Sequence, residues 1–176
     1  FDGRGRYARG TVTAVDRERV VLALGEARVS TAEPRVDVTL AVALLKGDKL
    51  VDVVRPATEL GVKRVRLFVS ANCEARDLSA VKLLRLRRVA QEAARQCGRS
   101  VVPAVEEPVP FAALALDAEV VVGDPAAEGG LAAHLDDLLA ARAVTFVTGP
   151  EGGLNEAEVM ALRGRGARAV RLGPRV

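Results

Sequence analysis

From residue 35 onward, short apolar runs alternate with stretches in which apolar positions recur every three or four residues. The runs RVDVTLAVALL (35 to 45), VKRVRLFVS (62 to 70), EVVVG (119 to 123), AVTFVTG (143 to 149) and ARAVRLG (167 to 173) predict strands. Between the first two, GDKLVDVVRPATELG predicts a helix capped by Asp48, with apolar positions Leu50, Val53, Val54 and Ala57 and a stop at Gly61. Pro56 predicts a kink or a shortening of that helix. A second helix runs from Ser79 through Leu83, Leu86, Val89, Ala90, Ala93 and Cys97 to a stop at Gly98. Two more are predicted from about Leu131 to Ala141 and from Glu156 to about Arg163. Short apolar strands alternating with amphipathic helices predict an α/β layer with a largely parallel sheet.

Residues 1 to 32 show a different pattern. YARGTVTAVDRERVVLAL reads as two strands, Tyr7 to Ala14 and Arg19 to Leu24, joined by a polar turn at Asp16 to Glu18. Two strands are not stable alone. They are the tail of a small β-domain or an appendage packed on the α/β layer, with the boundary between Ala32 and Pro34.

The hydrophobic share of 49% is mostly Ala, Val and Leu, and aromatics make up only 3%, so a nucleic-acid surface here relies on charge more than on stacked rings. The net charge of +3 hides an uneven distribution. Basic residues are nearly all arginine, which suits bidentate phosphate recognition and also fits a coding or thermal bias. Residues 82 to 99 hold six basic residues against one acid, 103 to 140 hold eight acids and no Lys or Arg, and 163 to 175 hold five arginines and no acid. A fold that joined the first and third segments would carry a basic face for a polyanion. Cys73 and Cys97 are too few for a disulfide framework or a zinc site, so no metal is expected. No apolar run reaches membrane-spanning length and FDGRGRYARG resembles no signal peptide, so a cytoplasmic protein with no membrane partner is expected.

Three of the predicted strands leave through glycine and proline: Gly123 to Pro125, Thr148 to Pro150, and Gly173 to Pro174. Ordinary turn chemistry accounts for any one of these exits. Together they predict a pocket walled by backbone at the carboxyl ends of the strands. TFVTGPEGGLNEAE lacks the Lys and the Ser or Thr of a phosphate-binding loop, and its glycines lack the spacing of a dinucleotide fingerprint. A cationic ligand such as S-adenosylmethionine would explain the missing lysine. Asn155 and Glu158 read as a capping box. Glu151 has two readings, a carboxylate favoured near a helix N-terminus or a group that orients the ligand or shapes the loop.

FVTGPEGGLNEAEV followed by VRLGPRV resembles the C-terminal signature of the 16S rRNA uridine-N3 methyltransferases of the RsmE type, in the SPOUT superfamily. ATELGVKRV (57 to 65) and AQEAARQCGRSVVP (90 to 103) resemble that family's central motifs, in the same order. The resemblance implies a SPOUT-type parallel sheet with helices on both faces and a C-terminal trefoil knot over residues 34–176, preceded by a partial PUA-like β-barrel over residues 1–33. It implies S-adenosylmethionine as cofactor, a homodimer, and 16S rRNA or the small ribosomal subunit as partner. By position, Val122, Gly123, Thr148, Gly149, Pro150, Glu151, Gly152, Gly153, Leu172, Gly173 and Pro174 would line the cofactor pocket. Arg175 would position the target uracil, and Arg4, Arg6, Arg88, Arg95, Gln96 and Arg99 would meet RNA. Family members begin before FDGRG and continue past LGPRV, so a chain cut at both ends is implied. Arg55 and Pro56 depart from the Gln-Lys pair expected there.

Methyl transfer to a uracil nitrogen is an in-line displacement in which an arginine can steady the developing anion. His134, the single histidine, sits beside Leu131, Leu135 and Leu138 and reads as a helix-flank residue, so solvent is the expected proton acceptor. The rival readings are a SPOUT enzyme acting on another rRNA or tRNA base, and a non-catalytic RNA-binding module.

Overall fold

The computed structural model describes residues 1–116 and 119–173. The first 32 residues form two small antiparallel pairs. β1 (Arg6–Tyr7) pairs with β4 (Arg28–Val29), and β2 (Gly10–Val15) pairs with β3 (Val20–Leu24). The Asp16 carboxylate closes the β2–β3 turn by accepting from the backbone N–H groups of Glu18 and Arg19, each at 2.9 Å. Val12, Val15, Val20, Val21, Leu22 and Leu24 on this hairpin are all exposed.

The rest forms one parallel sheet in the order β11, β9, β10, β5, β6, β7, with β8 also beside β6. Its strands are β5 (Asp37–Ala43), β6 (Arg64–Val69), β7 (Ala104–Val105), β8 (Val109–Pro110), β9 (Glu119–Gly123), β10 (Ala143–Thr148) and β11 (Arg168–Val170). The apolar runs predicted five of these, while β7 and β8, at two residues each, are too short to leave a periodic signal. The helices are α1 (Lys49–Glu59), α2 (Ala80–Gln96), α3 (Leu135–Ala140) and α4 (Glu156–Gly164). Right-handed crossovers put α1, α2 and α3 on one face and α4, whose connection steps back past β9, on the other. The side chains agree with that placement. Val121, Val144 and Phe146 meet Leu138 of α3, and the alternate residues Val120, Val122 and Val147 join the cluster holding Leu162 of α4.

Local details depart from the sequence reading. α1 runs through Pro56 to Glu59, because its buried face rests on Leu50, Val54, Ala57 and Thr58 while the carbonyl that Pro56 leaves without a donor belongs to exposed Asp52. Asp48 occupies the N-cap position without capping, and its carboxylate instead accepts from Arg85 at 2.9 Å. The helix expected over 131 to 141 divides into a 3₁₀ turn at Leu131–His134 and the six-residue α3. Gly130, held by a bridge to Arg171, sets the entry to that turn. Ser79, from which the second predicted helix runs, is the N-cap of α2, accepting from Lys82 N–H.

Among the described residues the two basic segments do not meet. α2 belongs to the β6–β7 edge and packs on α1, whereas β11 forms the opposite edge of the sheet. Two of the C-terminal arginines are matched within the domain by the acid-rich stretch. Arg163 pairs with Asp124 at 3.1 Å, and Arg168 with Asp137 at 2.6 Å and Glu119 at 3.1 Å. Arg165 donates to the Leu114 carbonyl at 2.5 Å.

Candidate functional site

The sheet order brings the glycine and proline exits side by side. β11, β9 and β10 are consecutive parallel neighbours, with Gly123 beside Val170 and Val122 beside Val147. Their carboxyl ends therefore open along one stretch of the sheet edge, where α/β proteins take their ligands. Val122 is buried, Gly123, Thr148 and Leu172 are exposed, and Gly149 and Gly173 are half-buried. Pro174 and Arg175 lie outside the described residues.

The glycines of these exits fall into two kinds. At Gly149 a Cβ would lie 2.6 Å from the Leu154 nitrogen and 2.8 Å from the Gly153 carbonyl carbon, and Gly153 adopts φ +70°. Those two are glycine because the turn folds tightly on itself, closed by Gly153 N–H donating to the Pro150 carbonyl at 2.9 Å. Gly123 and Gly173 answer to no such constraint. Among the described residues a Cβ built on either meets nothing within 4 Å, and neither has positive φ. At these two the main chain faces open space, so a flat ligand can approach the peptide groups directly.

Three side chains brace the turn. The Glu158 carboxylate accepts from Asn155 N–H, closing the expected capping box, and also from Ala71 N–H at 2.8 Å. Asn72, in the loop after β6, donates to the carbonyls of Gly152 and Gly153 at 3.3 and 3.1 Å. Glu151 accepts from Lys46 N–H at 3.2 Å and from Lys49 Nζ at 2.8 Å. Of the two readings of Glu151, this geometry serves loop shaping. It also amends the picture of a turn without cations, since lysines arrive from the β5 exit already matched by carboxylates, Lys49 by Glu151 and Lys46 by Glu74. Asn72, Lys46 and Lys49 left no trace in the local pattern, because they stand 80 to 105 residues away from the groups they bind.

The Lys49 ammonium, the turn's own backbone and Lys46 N–H hold the Glu151 carboxyl at about 2, below its ordinary 4.5. A depressed pKa means that the brace is intact above pH 4.5 and is lost as pH falls toward about 2. A ¹³C titration of the Glu151 carboxyl is expected to give a midpoint near 2 in the native chain and one shifted toward 4.5 in Lys49→Met. A native midpoint at 4.5 would disprove the brace.

The residues expected to meet RNA separate. Arg88, Arg95 and Gln96 are exposed on α2, and Arg4 and Arg6 are exposed in the N-terminal segment. Arg99 turns inward. It is 4% exposed, and its guanidinium donates to Glu33 at 2.7 and 3.1 Å and to the carbonyls of Thr58 and Val62 at 2.7 and 2.9 Å. Four of its five N–H donors are engaged inside the protein, so it joins the N-terminal segment to the sheet domain instead of standing on the surface with Arg95 and Gln96. Among the described residues no cluster of His, Cys, Asp and Glu could hold a metal, and no helix is long and apolar enough to cross a membrane.

Residues 32–176 match the family model described as RNA methyltransferase domain. The chain is 34% identical to a ribosomal RNA small subunit methyltransferase E of Mycobacterium bovis, with 99% of this chain and 70% of that protein covered. It is 31% identical to the Bacillus subtilis protein of that name, with 98% and 72% covered. Against the Synechocystis protein, also of that name, identity is 32%, and the match spans 79% of this chain but only 48% of that one. A crystal structure of the Neisseria gonorrhoeae ribosomal RNA small subunit methyltransferase E, bound to S-adenosyl methionine, superposes with a TM-score of 0.89 at 26% identity, covering 100% of this chain and 74% of that one. With its parallel sheet, its three adjacent strand exits and these relatives, the chain belongs to the ribosomal RNA small subunit methyltransferase E family of RNA methyltransferases.

Proposed function

We propose that the chain methylates N3 of a uridine in 16S rRNA of the small ribosomal subunit, with S-adenosylmethionine as donor. The observation that carries this reading is the pair Gly123 and Gly173, two glycines that no neighbour among the described residues demands, at the ends of adjacent strands beside the braced 148–153 turn. Backbone amides and carbonyls at these three exits would hold the cofactor's adenine and ribose. The cofactor supplies an electrophilic methyl group on a sulfonium.

Nearly all the catalysis this chain can provide is positioning and electrostatics. Glu151, Glu158 and Asn72 fix the turn before any ligand arrives, so little ordering is left for the binding step. Arg175 is assigned to the uracil carbonyls, where a guanidinium would stabilise the anion as the N3 proton leaves to solvent. N3 lies on the pairing edge of the base, so the target uridine must be unpaired or flipped out.

The finer features of the fold belong to the same reading. A trefoil knot is supported by the return of the chain from β10 past β9 to β11, and by the 124–130 segment lying along β11 through Asp124 N–H to Val170 and Arg171 N–H to Gly129. A PUA-like barrel is supported by the N-terminal strand pairs with their exposed apolar side chains. A homodimer is supported by Met160, 71% exposed on α4, and Leu172, 60% exposed beside the strand exits. A cytoplasmic location follows from the ribosomal substrate.

The test is in two parts. S-adenosylmethionine at about a hundred times its Kd is expected to add about 2.7 kcal/mol of stability, and mass mapping of small-subunit rRNA treated with the protein is expected to find one new methyl group on a uridine base. No shift in melting and no methylation would favour a non-catalytic RNA-binding module. A methyl group on another base would keep the enzyme and overturn the uridine assignment. Arg88 and Arg95, two turns apart on the exposed face of α2 and without ion pairs among the described residues, are assigned to phosphate. Arg88→Ala and Arg95→Ala are each expected to lower the slope of log affinity against log salt by about 1, as read by filter binding across a salt series.

A further inference from the structure

The chain has four phenylalanines and one tyrosine, and no tryptophan. Phe68 and Phe111 pack together with ring centroids 6.0 Å apart, and Phe146 joins the cluster around Leu138. The remaining two rings, Phe1 and Tyr7, are 48% and 40% exposed. Both line one cleft of about 280 Å³ between the N-terminal segment and the C-terminal end of α2, together with Ser30, Thr31, Arg95 and Ser100. A second cavity of about 330 Å³ shares the same two rings and has Arg6 in its wall. Two rings that the core leaves out thus stand at one place, between two arginines.

The cleft is held open by backbone. Gly5 N–H donates to the Ser100 carbonyl at 3.0 Å, Val102 N–H to Gly3 at 3.1 Å and Ser30 N–H to Gly5 at 2.8 Å. Arg99, in the wall of the cleft, is taken up by its pairing with Glu33. Asp2 is engaged by the backbone N–H groups of Arg4 and Arg6 at 2.8 and 3.0 Å, and both arginines are exposed. Arg4, Arg6 and Arg95 have no side-chain hydrogen bond or ion pair among the described residues, and Asp2 is the acid in the wall of the adjoining cavity, so three guanidinium groups face one carboxylate there. Apolar ring faces next to unmatched guanidinium groups suit a ligand with a π-face on one side and a phosphate on the other.

We propose that this cleft takes an unpaired nucleotide of the RNA substrate, its base stacked on Tyr7 and Phe1 and its phosphate held by Arg95. It is a nucleotide other than the methylated one. α2 begins after its N-cap Ser79, at the end of the loop that braces the candidate site, and its 17 residues run back toward the amino ends of the strands, about 25 Å at 1.5 Å per residue. Arg88 lies on the exposed face of that path, so a single strand of RNA can follow α2 from the strand exits to the cleft. The low aromatic content argues against a broad stacking surface, but the fold gathers the two available rings into one pocket.

This inference rests on the RNA-methyltransferase reading, and its test separates the two. With one tyrosine and no tryptophan, intrinsic emission near 305 nm reports on Tyr7 alone. The probe is single-stranded hexauridylate, with the fully abasic hexamer as a control carrying the same phosphates. Hexauridylate is expected to quench Tyr7 emission and to bind about tenfold or more tightly than the abasic strand. Tyr7→Ala is expected to remove that advantage in polarisation measurements with labelled strands, Tyr7→Phe to keep it, and Arg95→Ala to weaken both strands alike. Equal binding of the two strands, or hexauridylate binding unchanged in Tyr7→Ala, would overturn stacking in the cleft. The melting rise with S-adenosylmethionine is measured on the same proteins. If that rise persists while stacking fails, only the cleft is refuted; if the native chain shows neither, the enzymatic reading falls with it.

Discussion

Gly123→Val is expected to erase the rise in melting temperature that S-adenosylmethionine gives the native chain, while the ligand-free variant melts within about 2 °C of native. The second half follows from the open space at Gly123, where a Cβ meets nothing within 4 Å, and from the ladder, since valine suits a strand end paired with Val170. The first half follows from the same open space being where the cofactor would lie against the main chain. At about a hundredfold excess over Kd the native rise corresponds to about 2.7 kcal/mol, or about 5–10 °C for a chain of this length. Gly149→Ala supplies the contrast. Its Cβ would fall 2.6 Å from a backbone nitrogen, so the turn itself must move, at about 1–3 kcal/mol of overpacking. That variant is expected to lose both ligand response and basal stability. A Gly123→Val protein that still responds fully to the cofactor would show that the ligand does not lie over β9, and the three-exit site would have to be abandoned.

Arg99→Ala is expected to destabilise the ligand-free chain by about 3 kcal/mol, at the low end of the range for breaking a buried ion pair, and to lower its melting temperature by about 6–12 °C. The low end applies because the Glu33 side chain keeps 22% exposure against 4% for Arg99. The loss is large because one guanidinium serves three acceptors: Glu33 and the carbonyls of Thr58 and Val62. Removing it strips Glu33 Oε2 and the Val62 carbonyl of their donor, while Glu33 Oε1 keeps the Ser100 and Val101 N–H groups and the Thr58 carbonyl keeps Gly61 N–H. The pH dependence identifies the pair. Burial acts to raise the Glu33 pKa, but the Arg99 hydrogen bond and the Ser100 and Val101 N–H groups together hold it below the ordinary 4.5. A carboxyl depressed in the folded state contributes stability above its unfolded pKa and loses it as pH falls through the folded value. The difference between native and Arg99→Ala in urea melts is therefore expected to be full at pH 7 and to shrink below pH 4.5. Glu33→Ala alone is expected to cost a comparable amount, and the double variant less than the sum. Additive losses would mean that the two groups act independently.

Parts of the candidate site were legible in the sequence because their causes are local. Asn155 and Glu158 sit three residues apart, and a capping box needs nothing beyond its own turn. The five longer strands and the long α2 follow from apolar spacing, and Gly98 ends α2 at φ +76°, a conformation glycine adopts without strain. Elsewhere, local rules were overridden by tertiary partners. Asp48 looked like a cap and became the partner of Arg85, and Pro56 looked like a helix breaker but stayed within α1 because packing of that helix outweighed one missing hydrogen bond.

Arg99 shows the limit most clearly. As a letter in a basic segment it reads as a phosphate ligand, and only the return of Glu33 from 66 residues away makes it an internal anchor. The same holds for Phe1 and Tyr7, two rings in a ring-poor chain that acquire significance only when Arg95 is placed beside them.

The amino-acid order on its own determined the alternation of strand and helix, the bareness of the three exits and the caps of α2 and α4, because each depends on residues within a turn or two of one another. The fold decided that β11, β9 and β10 stand together, that the lysines near the glycine turn arrive already neutralised, and that basic α2 and β11 stay on opposite edges of the sheet. Strand order and ion-pair choice are set by which elements can bury their apolar faces together, and that competition is settled over the whole chain at once.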